Sequence, residues 1–160
     1  MPNYPMESPS VETPDGINLR TKISRPKQVT EDNNMAIVLV HPYSIMGGCQ
    51  ALMQGIASGL AEKGYPAVTF DMRGVGRSTG KPSLTGFAEV ADVFAVCNWV
   101  SQKISSHNIL LLGSSAGVPI AGSAVDQLEH VVGYVSQGYP FGMMASILFG
   151  RHHNAILQSA

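Results

Sequence analysis

The sequence predicts an α/β domain: a mostly parallel sheet with helices on both faces, opened by an N-terminal β-hairpin and lacking the last strands and helices of such a sheet. Three observations predict it. Short continuous apolar runs alternate with segments of helical periodicity along the chain. Charged residues make up only 13% against 44% hydrophobic, well under the roughly 25% charge of an ordinary soluble chain, as expected of elements buried on more than one side. With 160 residues the chain can bury roughly two-thirds of its unfolded surface in one core, without disulfides or metals.

Val11-Glu12 and Leu19 to Ser24 flank Thr13-Pro14-Asp15-Gly16, a turn cluster that reads as a hairpin. Met35 to Val40 is an apolar run ending at His41-Pro42, long enough for a strand buried on both faces and too short for a helix. From Ala51, the residues Leu52, Met53, Ile56 and Leu60 recur at helical spacing, and Gly64 sits where a left-handed C-cap would end that helix. Pro66 to Phe70 is the next strand. Phe87, Val90, Ala91, Phe94 and Cys97 mark a second helix running to about Gln102, and Ile109 to Leu112 is another buried strand. A small-residue helix follows, with Pro119 in its first turn, where a missing N–H is harmless. Val131 to Ser136 is the last strand. The expected organisation is a flexible start over 1–10, one domain over 11–150 and a tail over 151–160.

Ten basic and eleven acidic residues give a net charge of -1 with no basic run longer than a pair, which argues against nucleic acid and anionic membrane partners. No window reaches the roughly 18 apolar residues of a membrane helix. Cys49 and Cys97 are few and far apart, as in a reduced compartment, and Met1 to Ser10 lacks an apolar stretch, so the expected location is cytoplasmic.

The strongest chemical candidate is Gly113-Ser114-Ser115-Ala116-Gly117. A nucleophile exposed on a sharp strand-to-helix turn needs tiny neighbours on both sides, and the helix start behind it favours developing negative charge. The pattern alone is weak, since a Gly/Ser turn also fits it, but a buried strand before it and a helix after it supply the right context. His41-Pro42-Tyr43, followed by Gly47-Gly48, sits where a second oxyanion donor is wanted. Ala116 and Tyr43 are the expected backbone donors, because Pro42 has no N–H. His41 itself reads as a structural histidine rather than a base, its chain order being wrong for one. Asp71-Met72-Arg73-Gly74-Val75-Gly76-Arg77-Ser78 has the wrong spacing for a phosphate-binding loop and the wrong position for a dinucleotide fingerprint, so it is expected to shape the rim of the site. No cofactor and no metal are expected.

Taken together, His41-Pro42 with Gly47-Gly48, the Asp71 to Ser78 loop and Gly113-x-Ser115-x-Gly117 resemble the small serine hydrolases of the α/β-hydrolase superfamily, in a lid-less branch with His-Pro at the oxyanion loop. The resemblance spans Val11 to Gly138. It implies acyl transfer through an acyl-enzyme on Ser115, with a small-molecule acyl substrate, Ala116 and Tyr43 amides at the oxyanion, and His41, Gly113, Gly117, Asp71 and Arg73 as supporting motif residues. The superfamily order is Ser, then acid, then His. Asp126 and Glu129 read as a solvated helix face, His130 lies at the wrong end of a strand, and His152-His153 lie in the polar tail. The expectation is therefore a C-terminally truncated serine hydrolase with little or no turnover. A non-catalytic fragment acting by binding or regulation is the alternative.

Overall fold

The computed structural model describes residues 6–28, 33–42, 50–104 and 106–138. The hairpin forms as expected: β2 (Ser10–Glu12) pairs antiparallel with β3 (Asn18–Ser24), with Val11 opposite Leu19. Thr13 closes the turn. Its carbonyl accepts from the Gly16 N–H at 2.9 Å and its hydroxyl donates to Asp15 at 2.6 Å, while Gly16 takes the left-handed φ of 79° that a side chain would resist.

A short strand β1 (Met6–Glu7) also pairs antiparallel with β3, and Arg25 donates to Glu7 at 2.7 Å. Within the expected flexible start over 1–10, Met6, Glu7 and Ser10 lie in strands, because β3 offers each of them backbone partners, while residues 1–5 lie outside the described residues.

The remaining strands are β4 (Met35–Val40), β5 (Ala67–Phe70), β6 (Asn108–Ser114) and β7 (Val131–Gln137). Together the strands form a seven-stranded sheet in the order β1-β3-β5-β4-β6-β7, with β2 alongside β3. From β5 to β7 every pairing is parallel, and β3 joins β5 antiparallel. Among the described residues the sheet ends at β7.

Period-two alternation then sorts the core. Ile37 and Leu39 of β4 face α1 (Gln50–Glu62), packing with Met53 and Ala57, whereas Ala36, Val38 and Val40 face the opposite side. That second side is covered by α2 (Phe87–Lys103) and α3 (Val118–Val125) through Val93, Val96, Cys97, Ile120 and Ala121. Helices on both faces explain why β4 and β5 read as unbroken apolar runs. α1 ends where Gly64 adopts φ 94°, its N–H and that of Tyr65 bonding back to Ala61 and Leu60.

The inner face of α2 differs from its expected periodicity. Phe87 is exposed, and the buried side holds Val90, Val93, Val96, Cys97 and Val100 together with two carboxylates, Glu89 and Asp92. Both acids have partners supplied from outside the helix. Ser83 donates its backbone N–H to Glu89 at 2.7 Å, and Asp92 accepts three bonds from Arg73: backbone N at 2.8 Å, Nε at 3.0 Å and Nη2 at 2.7 Å. Arg73 also reaches Asp15 in the hairpin turn at 2.9 Å, so one guanidinium clamps the β5 loop to α2 and to β2-β3. Burial works against both charges and pushes the Asp92 carboxyl above its usual range, against the opposing pull of the three Arg73 bonds and the Arg73 charge. Burial also disfavours the guanidinium, yet Asp92 and Asp15 outweigh it and raise Arg73 above its ordinary value.

Removing one partner of a buried ion pair strands the other charge in the core, at a cost of about 3–5 kcal/mol. Arg73→Met is expected to lower stability by that amount in urea unfolding. The double substitution Arg73→Met with Asp92→Leu is expected to recover most of the loss; no recovery in the double variant would contradict this role.

Candidate active site

Parallel sheets bind ligands beyond the carboxyl ends of their strands, at the point where strand order reverses. Here the chain runs from β4 outward to β5, then crosses back over β4 to β6 and on to β7, so the reversal lies between β4 and β6. The register pairs Val40 with Gly113, which brings the His41-Pro42 loop and the Ser115 turn side by side at that edge.

β6 runs into a single 3-10 turn over Ser115–Gly117, which passes directly into α3 with Pro119 at its start. Ser115 is exposed and has φ 49°, and among the described residues it is the one non-glycine with positive φ. Left-handed backbone costs an L-residue roughly 1–2 kcal/mol and persists only where the surroundings impose it.

The two flanking glycines show what imposes it. A β-carbon on Gly113 would come within 2.8 Å of the Val118 Cα, and one on Gly117 would collide with the His41 and Val40 carbonyl oxygens. The strand, the turn and the β4 loop are packed backbone to backbone, so the chain reverses sharply and lifts the Ser115 side chain outward. Ala116 and Ser115 fall in the first turn, whose amides have no intrahelical acceptor.

His41 is buried at 1% exposure, and both ring nitrogens are used. Nε2 accepts the Met72 N–H at 3.0 Å, and Nδ1–H donates to the Pro42 carbonyl at 2.9 Å. This fixes a neutral ring tying the β4 loop to the β5 loop, with no lone pair left for Ser115. Burial lowers its pKa from 6.5, against the Pro42 bond and the Asp71 charge. Asp71 opens the β5 loop: its side chain accepts the Arg77 N–H at 3.3 Å and its carbonyl accepts the Ser78 hydroxyl at 2.6 Å. A β-carbon on Gly76 would collide with the Asp71 carboxylate. Arg73 serves the buried clamp described above rather than the Ser115 turn.

The other described histidines stand at the far edge. His107 precedes β6 and His130 precedes β7, both at the amino ends of strands, and Asp126 and Glu129 are exposed after α3. Tyr43, Gly47-Gly48, His152 and His153 lie outside the described residues. Cys97 is no rival nucleophile, since burial pushes its thiol up to about 12. Among the described residues no group of three His, Cys, Asp or Glu side chains is placed to hold a metal ion. Sequence reasoning missed Asp92 and Glu89. Their signal was two acids three apart on the apolar side of α2.

A family model described as X-Pro dipeptidyl-peptidase (S15 family) matches residues 15–132. An uncharacterised 31.7 kDa protein from the traX-finO intergenic region of Escherichia coli is 30% identical over 113 residues, covering 69% of this chain and 40% of that protein. The chain thus spans less than half the length of that relative. An alpha-beta serine hydrolase homologue from Coxiella burnetii superposes with TM-score 0.70 at 32% identity, over 85% of this chain and 62% of that one. A serine hydrolase without lid from Xanthomonas campestris gives TM-score 0.72 at 21% identity, over 100% of this chain and 81% of that one. The α/β-hydrolase fold follows from these.

Two outcomes test this geometry. Ser115→Gly is expected to raise unfolding free energy by about 1 kcal/mol, because glycine relieves the left-handed strain that Ser115→Ala would keep. Equal stability of the two variants would contradict a strained turn. For His41, the lowered folded pKa means that its contribution is complete above 6.5 and is lost as pH falls through the lower folded value. The stability difference between wild type and His41→Gln is accordingly expected to hold constant above about pH 7 and to narrow in acid.

Proposed function

We propose that this chain, which belongs to the X-Pro dipeptidyl-peptidase (S15) family of α/β-hydrolases, carries Ser115 as the nucleophile for acyl transfer on carboxylic esters or related acyl compounds. The observation that carries this reading is the left-handed Ser115, exposed on a strand–turn–helix at the switch point of the sheet. A turn that only reverses the chain could take glycine there without strain, whereas a nucleophile must keep its hydroxyl.

In the proposed reaction the Ser115 Oγ attacks the carbonyl carbon, and the new oxyanion is met by the Ala116 N–H and the Tyr43 N–H. Collapse breaks the bond to the leaving alcohol, which takes up the proton given by the hydroxyl. Water then attacks the acyl-enzyme, releasing the acid and returning the proton to Ser115.

Base catalysis is the weak step in this reading. His41 has both nitrogens committed, and His107 and His130 stand at the opposite edge of the sheet. A neutral hydroxyl without a base is a poor nucleophile, and an oxyanion hole with binding alone supports roughly 10³–10⁴-fold catalysis over water. With no histidine among the described residues placed as a base for Ser115, the proposed activity is weak. A second reading, a non-catalytic chain that acts by binding, is favoured by β7, where Val132 is 55% and Val135 40% exposed on a strand paired on one side among the described residues. The buried free thiol of Cys97 fits the proposed cytoplasmic setting.

Hydrolysis of p-nitrophenyl butyrate is expected to exceed the buffer rate by no more than about 10⁴-fold, with the excess lost in Ser115→Ala. An excess that survives Ser115→Ala would remove Ser115 from the mechanism, and an excess of about 10⁶-fold would show a base that this reading lacks.

A further inference from the structure

A recess of about 300 Å³ opens at the same edge of the sheet, where β3, the β5 loop and the start of α1 meet. Three cations line it: Arg20, Lys22 and Arg77. Arg20 and Lys22 alternate along β3 with Leu19, Thr21 and Ile23, which are buried on the other face, so both point to the α1 side beside Gln54. Both are half-buried. None of the three forms an ion pair with a described residue; the pairs among described residues are Arg25–Glu7, Arg73–Asp15 and Arg73–Asp92. The single carboxylate in the wall, Asp71, is engaged by the Arg77 backbone N–H and packed against Gly76.

Lysines on an edge strand are ordinarily solvated guards against edge pairing. That explanation does not apply here, because β3 is paired on both sides and the two side chains sit in a recess. Among the described residues, three cations facing one carboxylate leave two positive charges unmatched. A partly desolvated wall of this kind suits a dianion with several acceptor oxygens, which a guanidinium can meet with two parallel bonds.

We propose that this recess binds a phosphate group, as the phosphomonoester head of an acyl substrate whose carbonyl lies at Ser115. The placement agrees with that use. Arg20 stands beside Asp71 at the carboxyl end of β5, and β5 and β6 are two strand spacings apart, so the recess lies roughly 10 Å or more from the Ser115 turn at about 4.8 Å per strand. The substrate role rests on Ser115 being the nucleophile. The binding of phosphate does not.

The test is a titration of the whole chain with inorganic phosphate against sodium chloride and sodium acetate at matched ionic strength, read by thermal midpoint and by amide NMR shifts. Phosphate is expected to raise the midpoint saturably and to move the amides of Arg20, Lys22, Asp71 and Arg77, with binding tightening as pH rises and inorganic phosphate loses its second proton. Arg20→Gln with Lys22→Gln is expected to abolish the effect, and the exposed Arg77→Gln to weaken it at least tenfold without depending on the fold of the double variant. Equal responses to phosphate and acetate, shifts mapping elsewhere, or an Arg77→Gln titration identical to wild type would overturn the proposal. Phosphate binding that persists in Ser115→Ala would support the site even if the nucleophile reading failed, and ester hydrolysis without phosphate binding would leave that reading standing while this one fell.

Discussion

The carbonyl of His41 and the α-carbon of Gly117 stand so close that no side chain fits between them, and the geometry of the edge follows from that contact. It requires β4 and β6 to be neighbours in register, Val40 beside Gly113. It leaves the chain after β6 no room to turn gradually, so the reversal is concentrated at one residue. Ser115 absorbs it with a left-handed backbone, and its side chain points away from the packed loops. Exposure of the hydroxyl is thus a consequence of backbone packing rather than of any partner that holds it out.

The other loops at this edge are fixed by buried polar groups. His41 spans the β4 and β5 loops with both nitrogens, and Arg73 spans the β5 loop, α2 and the hairpin. Each replaces water with several directed bonds, which makes burial of an imidazole and a guanidinium tolerable. The positions that look most chemical in the motifs, His41 and Arg73, are therefore consumed by architecture. That consumption leaves Ser115 as an exposed hydroxyl at the switch point and, among the described residues, the recess of Arg20, Lys22 and Arg77 as the unpaired charge beside it.

The β4 and β5 strands were legible in the sequence because burial on both faces writes itself as a largely apolar run, β6 and β7 because their apolar residues cluster in short runs, and the hairpin because Pro14-Asp15-Gly16 encodes a reversal locally. Gly113 and Gly117 were legible as a spacing, while the carbonyl that forbids a side chain at 117 comes from a residue over seventy positions away and could not be read locally. β1 was illegible because two residues hold no period; it exists where β3 offers backbone partners. The inner face of α2 was misread for a related reason. Periodicity assigns Phe87 inward and acids outward, but Arg73 and Ser83 supply distant partners that draw Asp92 and Glu89 into the core. The cationic recess assembles β3, α1 and the β5 loop, and no local pattern joins those three. Tyr43, expected as an oxyanion donor, lies outside the described residues.

The central claim is that the strained hydroxyl of Ser115 is a nucleophile rather than a turn residue. Its most direct measurement is covalent capture: incubation with a fluorophosphonate probe, followed by digestion and peptide mass spectrometry. The account predicts a slow, stoichiometric adduct mapped to Ser115 and absent from Ser115→Ala. Contradiction would be an adduct on another residue, or prolonged incubation that leaves Ser115 unmodified in folded protein.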